Sequence, residues 1–116
     1  MRVLLRHVAH ARSGDKGNIS NIAVIAYSPE LFPMLLEQLT AECFKDFYGA
    51  IIKGRVDRYE VHNIQALNFV AYESLGGGVT RNLCLDGYGK SLSSRVLAFP
   101  ITVPPSLYQS LRNWPL

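Results

Sequence analysis

Seven consecutive residues, Arg12-Ser13-Gly14-Asp15-Lys16-Gly17-Asn18, bring two cations, one anion, a hydroxyl, an amide and two glycines together. Glycine lets backbone N–H groups approach a ligand closely and takes up positive φ without a steric penalty. Amides beside positive charge make a cradle for a phosphate or a carboxylate. In this reading Arg12 and Lys16 supply charge, Ser13, Gly14 and Gly17 supply donors, and Asn18 and Asn21 orient what is bound. The plain alternative is a structural loop in which Asp15 accepts backbone N–H groups and pairs with Arg12 or Lys16. Asp15 and Lys16 are also candidates for general acid–base chemistry, provided burial shifts their pKa values.

A second cluster is Gly76-Gly77-Gly78 followed by Thr80 and Arg81. Three glycines cost conformational entropy, so a tight crossing or a close backbone approach is the reason to have them. The functional reading sets these amides and Arg81 against the ligand of the first segment; the plain one is a bulge between strands. Asn68, inside an apolar stretch, needs a hydrogen-bond partner if buried, and holding one of these loops would provide it.

Other chemistries fit poorly. The first segment is not a phosphate-binding Walker loop, since only two residues separate Gly14 from Gly17. Its G-x-x-G matches the loop of KH domains, but that loop joins two helices and this one joins two apparent strands. His7 and His10 lie three apart in an extended stretch and should face opposite ways, and His62 stands alone, which argues against a metal site. A Ser13–His10–Asp15 triad is too local to reach the required geometry. Cys43 and Cys84 belong to no CxxC pair and read as two buried thiols, with neither a disulfide framework nor a nucleophile implied.

Length and composition set the frame. The chain has 116 residues, 48% of them hydrophobic, which fits one globular domain with a real core. The net charge of +3 comes from scattered cations, so nucleic-acid binding gains little support. The apolar run before Arg6 is shorter than the roughly 7–15 residues of a signal peptide, and no run approaches a membrane span. The expectation is a cytoplasmic protein without membrane or nucleic-acid partners.

The elements that must position these residues follow from periodicity. Residues 3–11 read as a strand, followed by the polar loop. Ile22 to Ala26 is an unbroken apolar run, as in a central strand buried on both faces. Ser28 is a plausible N-cap, with Pro29 and Glu30 suited to a first helical turn. Leu31, Leu35 and Leu39, with Met34, form an apolar stripe, and Pro33 either lies in the first turn or marks a kink. Thr40 to Glu42 cap a second helix through Tyr48, with Cys43, Phe44 and Phe47 on its apolar face and Gly49 as its stop. Residues 55–62 and 66–73 read as strands separated by a turn at Asn63 to Gln65. Residues 79–85 form a further strand ending at the Asp86-Gly87 turn. Lys90 to Phe99 reads as a helix. After Pro104-Pro105, Leu107, Leu111 and Trp114 recur at helical spacing in a tail. This order predicts an α+β fold with helices on one face of a mostly antiparallel sheet.

HARSGDKGNISNIAVIA at 10–26, RYE at 58–60, ALNF at 66–69, GGGVTR at 76–81 and LDGYGKSLS at 85–93 together resemble the small AtuA-like domain. That domain occurs beside the larger acyclic terpene utilisation protein AtuA, as a C-terminal appendage or a separate small protein. The resemblance spans roughly residues 5–101. It implies a ferredoxin-like sandwich over 1–103 with a tail at 104–116. It also implies a large AtuA-like partner and a setting of terpenoid or acyl-CoA catabolism, without supplying a reaction or a cofactor. The expected function is a small subunit or accessory domain that associates with a large AtuA-like protein. It would help form an acyl-CoA or carboxylate site from Arg12, Ser13, Gly14, Lys16, Gly17, Asn18, Asn21, Gly76, Gly77, Gly78 and Arg81. The alternatives are a stand-alone acid–base enzyme working through Asp15 and Lys16, and a homo-oligomeric ligand-binding module whose sheet edges pair between chains.

Overall fold

Burial along Ile19–Ala26 alternates with the period of a strand. Ser20, Ile22, Val24 and Ala26 are buried, while Ile19 and Asn21 are exposed and Ala23 and Ile25 half-buried. This strand is the centre of the molecule. The structure, a computed structural model, describes residues 1–17, 19–72, 93–112 and 114–115, with the backbone alone for residues 15 and 16.

In chain order the strands are β1 (Arg2–Leu4), β2 (Ala9–Lys16), β3 (Ile19–Ala26), β4 (Val56–Val61), β5 (Ala66–Tyr72) and β6 (Pro100–Thr102). The helices α1 (Phe32–Gln38) and α2 (Ala41–Tyr48) lie between β3 and β4. One antiparallel sheet has the order β2-β3-β5-β4, and β1 pairs with β6 in a separate two-stranded ribbon. Two local hairpins, β2–β3 and β4–β5, therefore meet through the long-range pair β3–β5, which sets Ile22 opposite Phe69 and Val24 opposite Leu67.

The core lies on one side of this sheet. Ala9, Ile22, Val24, Ala26, Leu67, Phe69 and Ala71 form one cluster with Leu31, Leu35, Leu39, Phe44 and Tyr48, and with Val3, Val96, Ile101, Val103 and Leu111. Phe44 of α2 stacks on Phe69 with ring centroids 4.1 Å apart. Arg58 of β4 donates from Nη1 to the carbonyls of Leu36 and Leu39 at the end of α1, at 2.9 and 3.0 Å. Both helices thus occupy the same face, and the chain is α+β, as its sequence pattern predicts. The ribbon is tied to α1 by Gln38, whose amide exchanges two hydrogen bonds with the backbone of Thr102, at 2.8 and 2.7 Å.

The helices begin largely as their sequences suggest. Pro29–Leu31 form a 3-10 turn leading into α1, and Pro33 sits in the first turn of α1, not at a kink. Leu31, Leu35 and Leu39 are fully buried. The Thr40 hydroxyl accepts from the Cys43 N–H at 3.1 Å, and Gly49, at φ +62°, ends α2.

Six expectations need correction. Residues 3–11 are not one strand: a 3-10 turn at Leu5–His7 separates β1 from β2, because Leu5 turns in to full burial. The polar segment after Ala11 is not a loop but the second half of β2. The strand β3 is central but buried on one face only. Ser28 forms no side-chain cap, and its hydroxyl finds no partner among the described residues. Cys43 is exposed, because the buried stripe of α2 runs through Phe44 and Tyr48 and leaves position 43 beside it. The tail is 3-10 at Pro105–Ser110, and Leu111 reaches the core from its end. Of the expected helix at 90–99, residues 93–96 are helical, with Val96 and Phe99 buried. The expected strand at 79–85 and the glycine run at 76–78 lie outside the described residues.

Candidate functional site

The β2–β3 hairpin turns at Gly17, since Lys16 pairs directly with Ile19. Gly17 has φ +63°, the value a two-residue hairpin requires at its first central position. A Gly-Asn pair between alternating residues is a hairpin signal in its own right, and it sets the register of every residue in the polar segment.

That register decides what each residue can do. The Tyr27 N–H donates to the Val8 carbonyl at 2.9 Å. In an antiparallel ladder hydrogen-bonded pairs alternate with non-bonded ones. His10/Ile25, Arg12/Ala23, Gly14/Asn21 and Lys16/Ile19 are therefore the bonded pairs. The backbone amide of Gly14 is thus used within the hairpin. Its missing side chain has a different consequence: a Cβ at position 14 would stand 3.0 Å from Asn21 Oδ1.

Alternation sends Arg12, Gly14, Asn21, Ala23 and Asn68 to the sheet face opposite the helices. Across the strands Arg12 lies beside Ala23, and Ala23 beside Asn68; Gly14 lies beside Asn21, and Asn21 beside Val70. The Asn21 amide donates to Asn68 Oδ1 at 3.3 Å. This is the only side-chain hydrogen bond of Asn68 among the described residues, so its own N–H₂ is left to donate elsewhere. Arg12 is exposed and has no ion pair or hydrogen bond among them. The two positions without bulk, Gly14 and Ala23, lie between the free guanidinium and the Asn21–Asn68 pair. The result is a shallow polar patch with a planar cation on one side and amides on the other, suited to carboxylate or phosphate oxygens.

Among the described side chains, the other charged groups of the sheet and its flank, Arg55, Asp57, Arg58 and Glu60, are engaged, Arg58 and Glu60 on the helix-bearing face. Arg55 lies over the Tyr72 ring at 4.5 Å and pairs with Asp57 at 3.2 Å. At the other end the His10 ring stacks on Tyr27 at 5.6 Å, and the Arg112 guanidinium lies 4.9 Å from the centre of the same ring. His62 donates to Glu60 at 2.8 Å, and that hydrogen bond, with Arg58 nearby, holds the Glu60 carboxyl below the usual carboxylate range. His7 Nδ1 donates to the Arg112 carbonyl. Among the described residues no three His, Cys, Asp or Glu side chains come together in a group that could hold a metal ion.

Of the residues marked in the sequence, the structure brings Arg12, Gly14 and Asn21 together and adds Asn68 as the partner of Asn21. Ser13, paired with Ile22, falls on the opposite, helix-bearing face. Gly17 is exposed at the turn. The side chains of Asp15 and Lys16, all of Asn18, and Gly76, Gly77, Gly78 and Arg81 lie outside the described residues. The sequence reading missed Ala23, whose small side chain keeps the patch open; once the Gly-Asn hairpin is recognised, counting back from it places Ala23 opposite Arg12.

The family model described as AtuA ferredoxin-like domain matches residues 3–102 of the chain. Among curated proteins and among solved structures nothing matches it. No helix among the described residues is long and apolar enough to cross a membrane.

Proposed function

Since this chain belongs to the AtuA ferredoxin-like domain family, we propose that it is a small accessory subunit of a larger AtuA-type protein. Its open sheet face would lie against that partner, and Arg12 would bind the carboxylate or phosphate of an acyl-CoA or terpenoid acid at the junction. The observation that carries this reading is the exposed guanidinium of Arg12, without an ion pair among the described residues, beside the hydrogen-bonded Asn21–Asn68 pair.

The physical case is one of asymmetry. One face of the sheet holds the helices and the core; the other displays Ile19 at 41% exposure, the Asn21–Asn68 pair and the Arg12 guanidinium, which has no ion pair among the described residues. A face that mixes exposed apolar residues with unpaired donors suits a protein contact better than bulk solvent. Arg12 would make a bidentate pair with a carboxylate, and the Asn68 amide would donate to the same ligand. The partner would exclude water, which strengthens both interactions.

The test is co-purification of the chain with a large AtuA-type protein, followed by calorimetric titration of the complex with an acyl-CoA. Arg12→Ala is expected to weaken ligand binding roughly tenfold or more, from the loss of about 1.5–3 kcal/mol in charged hydrogen bonds. Unchanged affinity in that variant, or no recovery of the partner, would overturn the proposal. Turnover of a substrate by the purified chain alone would favour the small-enzyme reading instead.

A further inference from the structure

The second edge of the sheet carries a different message. Among the described residues β4 is an edge strand, bonded to β5 on one side only. The Tyr72 N–H donates to the Arg55 carbonyl, so the ladder alternation points the backbone groups of Asp57, Tyr59 and Val61 at β5. Those of Val56, Arg58 and Glu60 point outward, and none has a hydrogen-bond partner among the described residues. The same edge exposes Tyr59 at 52% and Val61 at 37%, with Ile64 at 54% in the turn that follows. An edge with free backbone groups and exposed apolar side chains is a template for another strand.

We propose that the occupant is a second copy of this chain, with β4 pairing antiparallel to β4 so that Tyr59 lies opposite Tyr59 of the second copy. Two copies related by a two-fold axis must match outward backbone groups with outward ones, which leaves two registers that use most of the strand. One sets Arg58 against Arg58 of the second copy, two like charges directly opposite, which is destabilising. The other sets Arg58 against Glu60 of the second copy, and Glu60 against its Arg58. Each charge then meets its opposite twice, on the helix-bearing face. On the open face Tyr59 meets Tyr59 in a non-hydrogen-bonded pair, where side chains are closest. Asp57 then stands beside Val61. Opposite charges two residues apart on one edge make the strand self-complementary in that register alone, and the two sheets become one continuous sheet.

Light scattering of the full chain after gel filtration, over rising protein concentration, is expected to show twice the chain mass. Cross-linking tests the register. With Cys43 and Cys84 replaced by serine, Tyr59→Cys is expected to form a disulfide-linked dimer on mild oxidation. Val61→Cys, on the same face but opposite Asp57 of the second copy, is expected to stay largely uncross-linked. Glu60→Lys should abolish the dimer while circular dichroism remains that of the parent. Monomer mass at every concentration, equal cross-linking at 59 and 61, or an undiminished dimer in Glu60→Lys would each overturn the proposal.

Discussion

Arg58 Nη1 donates to the Leu39 carbonyl at 3.0 Å, so that a strand residue closes the end of a helix 19 positions earlier in the chain. The same nitrogen reaches the Leu36 carbonyl, and Nη2 meets Glu60 at 3.1 Å. The last carbonyls of a helix have no partner within it, and a cation at that end also complements the helix dipole. Leu39 is fully buried, and the Arg58 side chain is only 19% exposed, so water is a poor substitute.

Replacing Arg58 with methionine keeps the apolar stem and removes the donors. The expected loss is about 1.5–3 kcal/mol of folding stability, the range for hydrogen bonds from charged groups. Urea denaturation followed by circular dichroism measures it. Arg58→Lys should recover part of the loss, since one ammonium replaces a planar fork.

Two glycines should respond in opposite ways to alanine. At Gly14 the new Cβ meets, among the described residues, only Asn21 Oδ1, at 3.0 Å, the end of an exposed side chain that can rotate away. At Gly54 it would meet the Tyr72 carbonyl oxygen at 2.5 Å and the carbonyl carbon at 2.9 Å, both backbone. Gly14→Ala is therefore expected to change stability by less than about 1 kcal/mol, while displacing Asn21 from Asn68 and weakening anion binding. Gly54→Ala is expected to cost about 1–3 kcal/mol through forced backbone movement. Thermal melts of both variants, with chemical shifts of the Asn21 amide in the first, check the contrast.

Phe44 and Cys43 are neighbours in α2 with different surroundings. Phe44 is fully buried against Phe69 and Tyr48, and its truncation to alanine should cost about 3–5 kcal/mol. Cys43 is exposed, and Cys43→Ser should stay within about 0.5 kcal/mol of the parent. Comparable losses at the two positions would contradict the orientation of α2.

Burial pushes the Tyr48 hydroxyl above the ordinary phenol value of 10.0, more than its backbone hydrogen bond to Val96 and the charge of Arg95 lower it. The folded state thus keeps the Tyr48 proton at pH values where the unfolded chain releases it. The stabilisation is fully present below about pH 10 and falls as pH rises beyond it. In Tyr48→Phe that part of the alkaline decline should vanish, at a cost of about 1 kcal/mol near neutrality for the lost hydrogen bond. Urea midpoints of both proteins on either side of about pH 10 measure it.

Much of this architecture is written locally. The spacing of Leu31, Leu35 and Leu39, the Thr40 cap and the Gly49 stop specify their helices because each acts within a few residues. The alternation in 56–61 and 66–72 specifies strands for the same reason, and the residue patterns from His10 to Ser93 identify the family. Segment 12–16 is harder to read. Its polar residues look like a loop because a strand with one open face has no need of apolar side chains there. Position Ile22 to Ala26 misleads in the opposite sense, since Ala23 and Ile25 are apolar without facing the core. Tertiary structure alone decided that β3 pairs with β5, which brings Asn21 to Asn68 across 47 residues of chain. It also decided that Arg58 closes α1 and that Arg12 lies beside a gap made by Gly14 and Ala23. These relationships depend on strand register and on which sheet face receives the helices. Both are set by the burial of the whole apolar surface at once, and no short stretch of sequence carries that information.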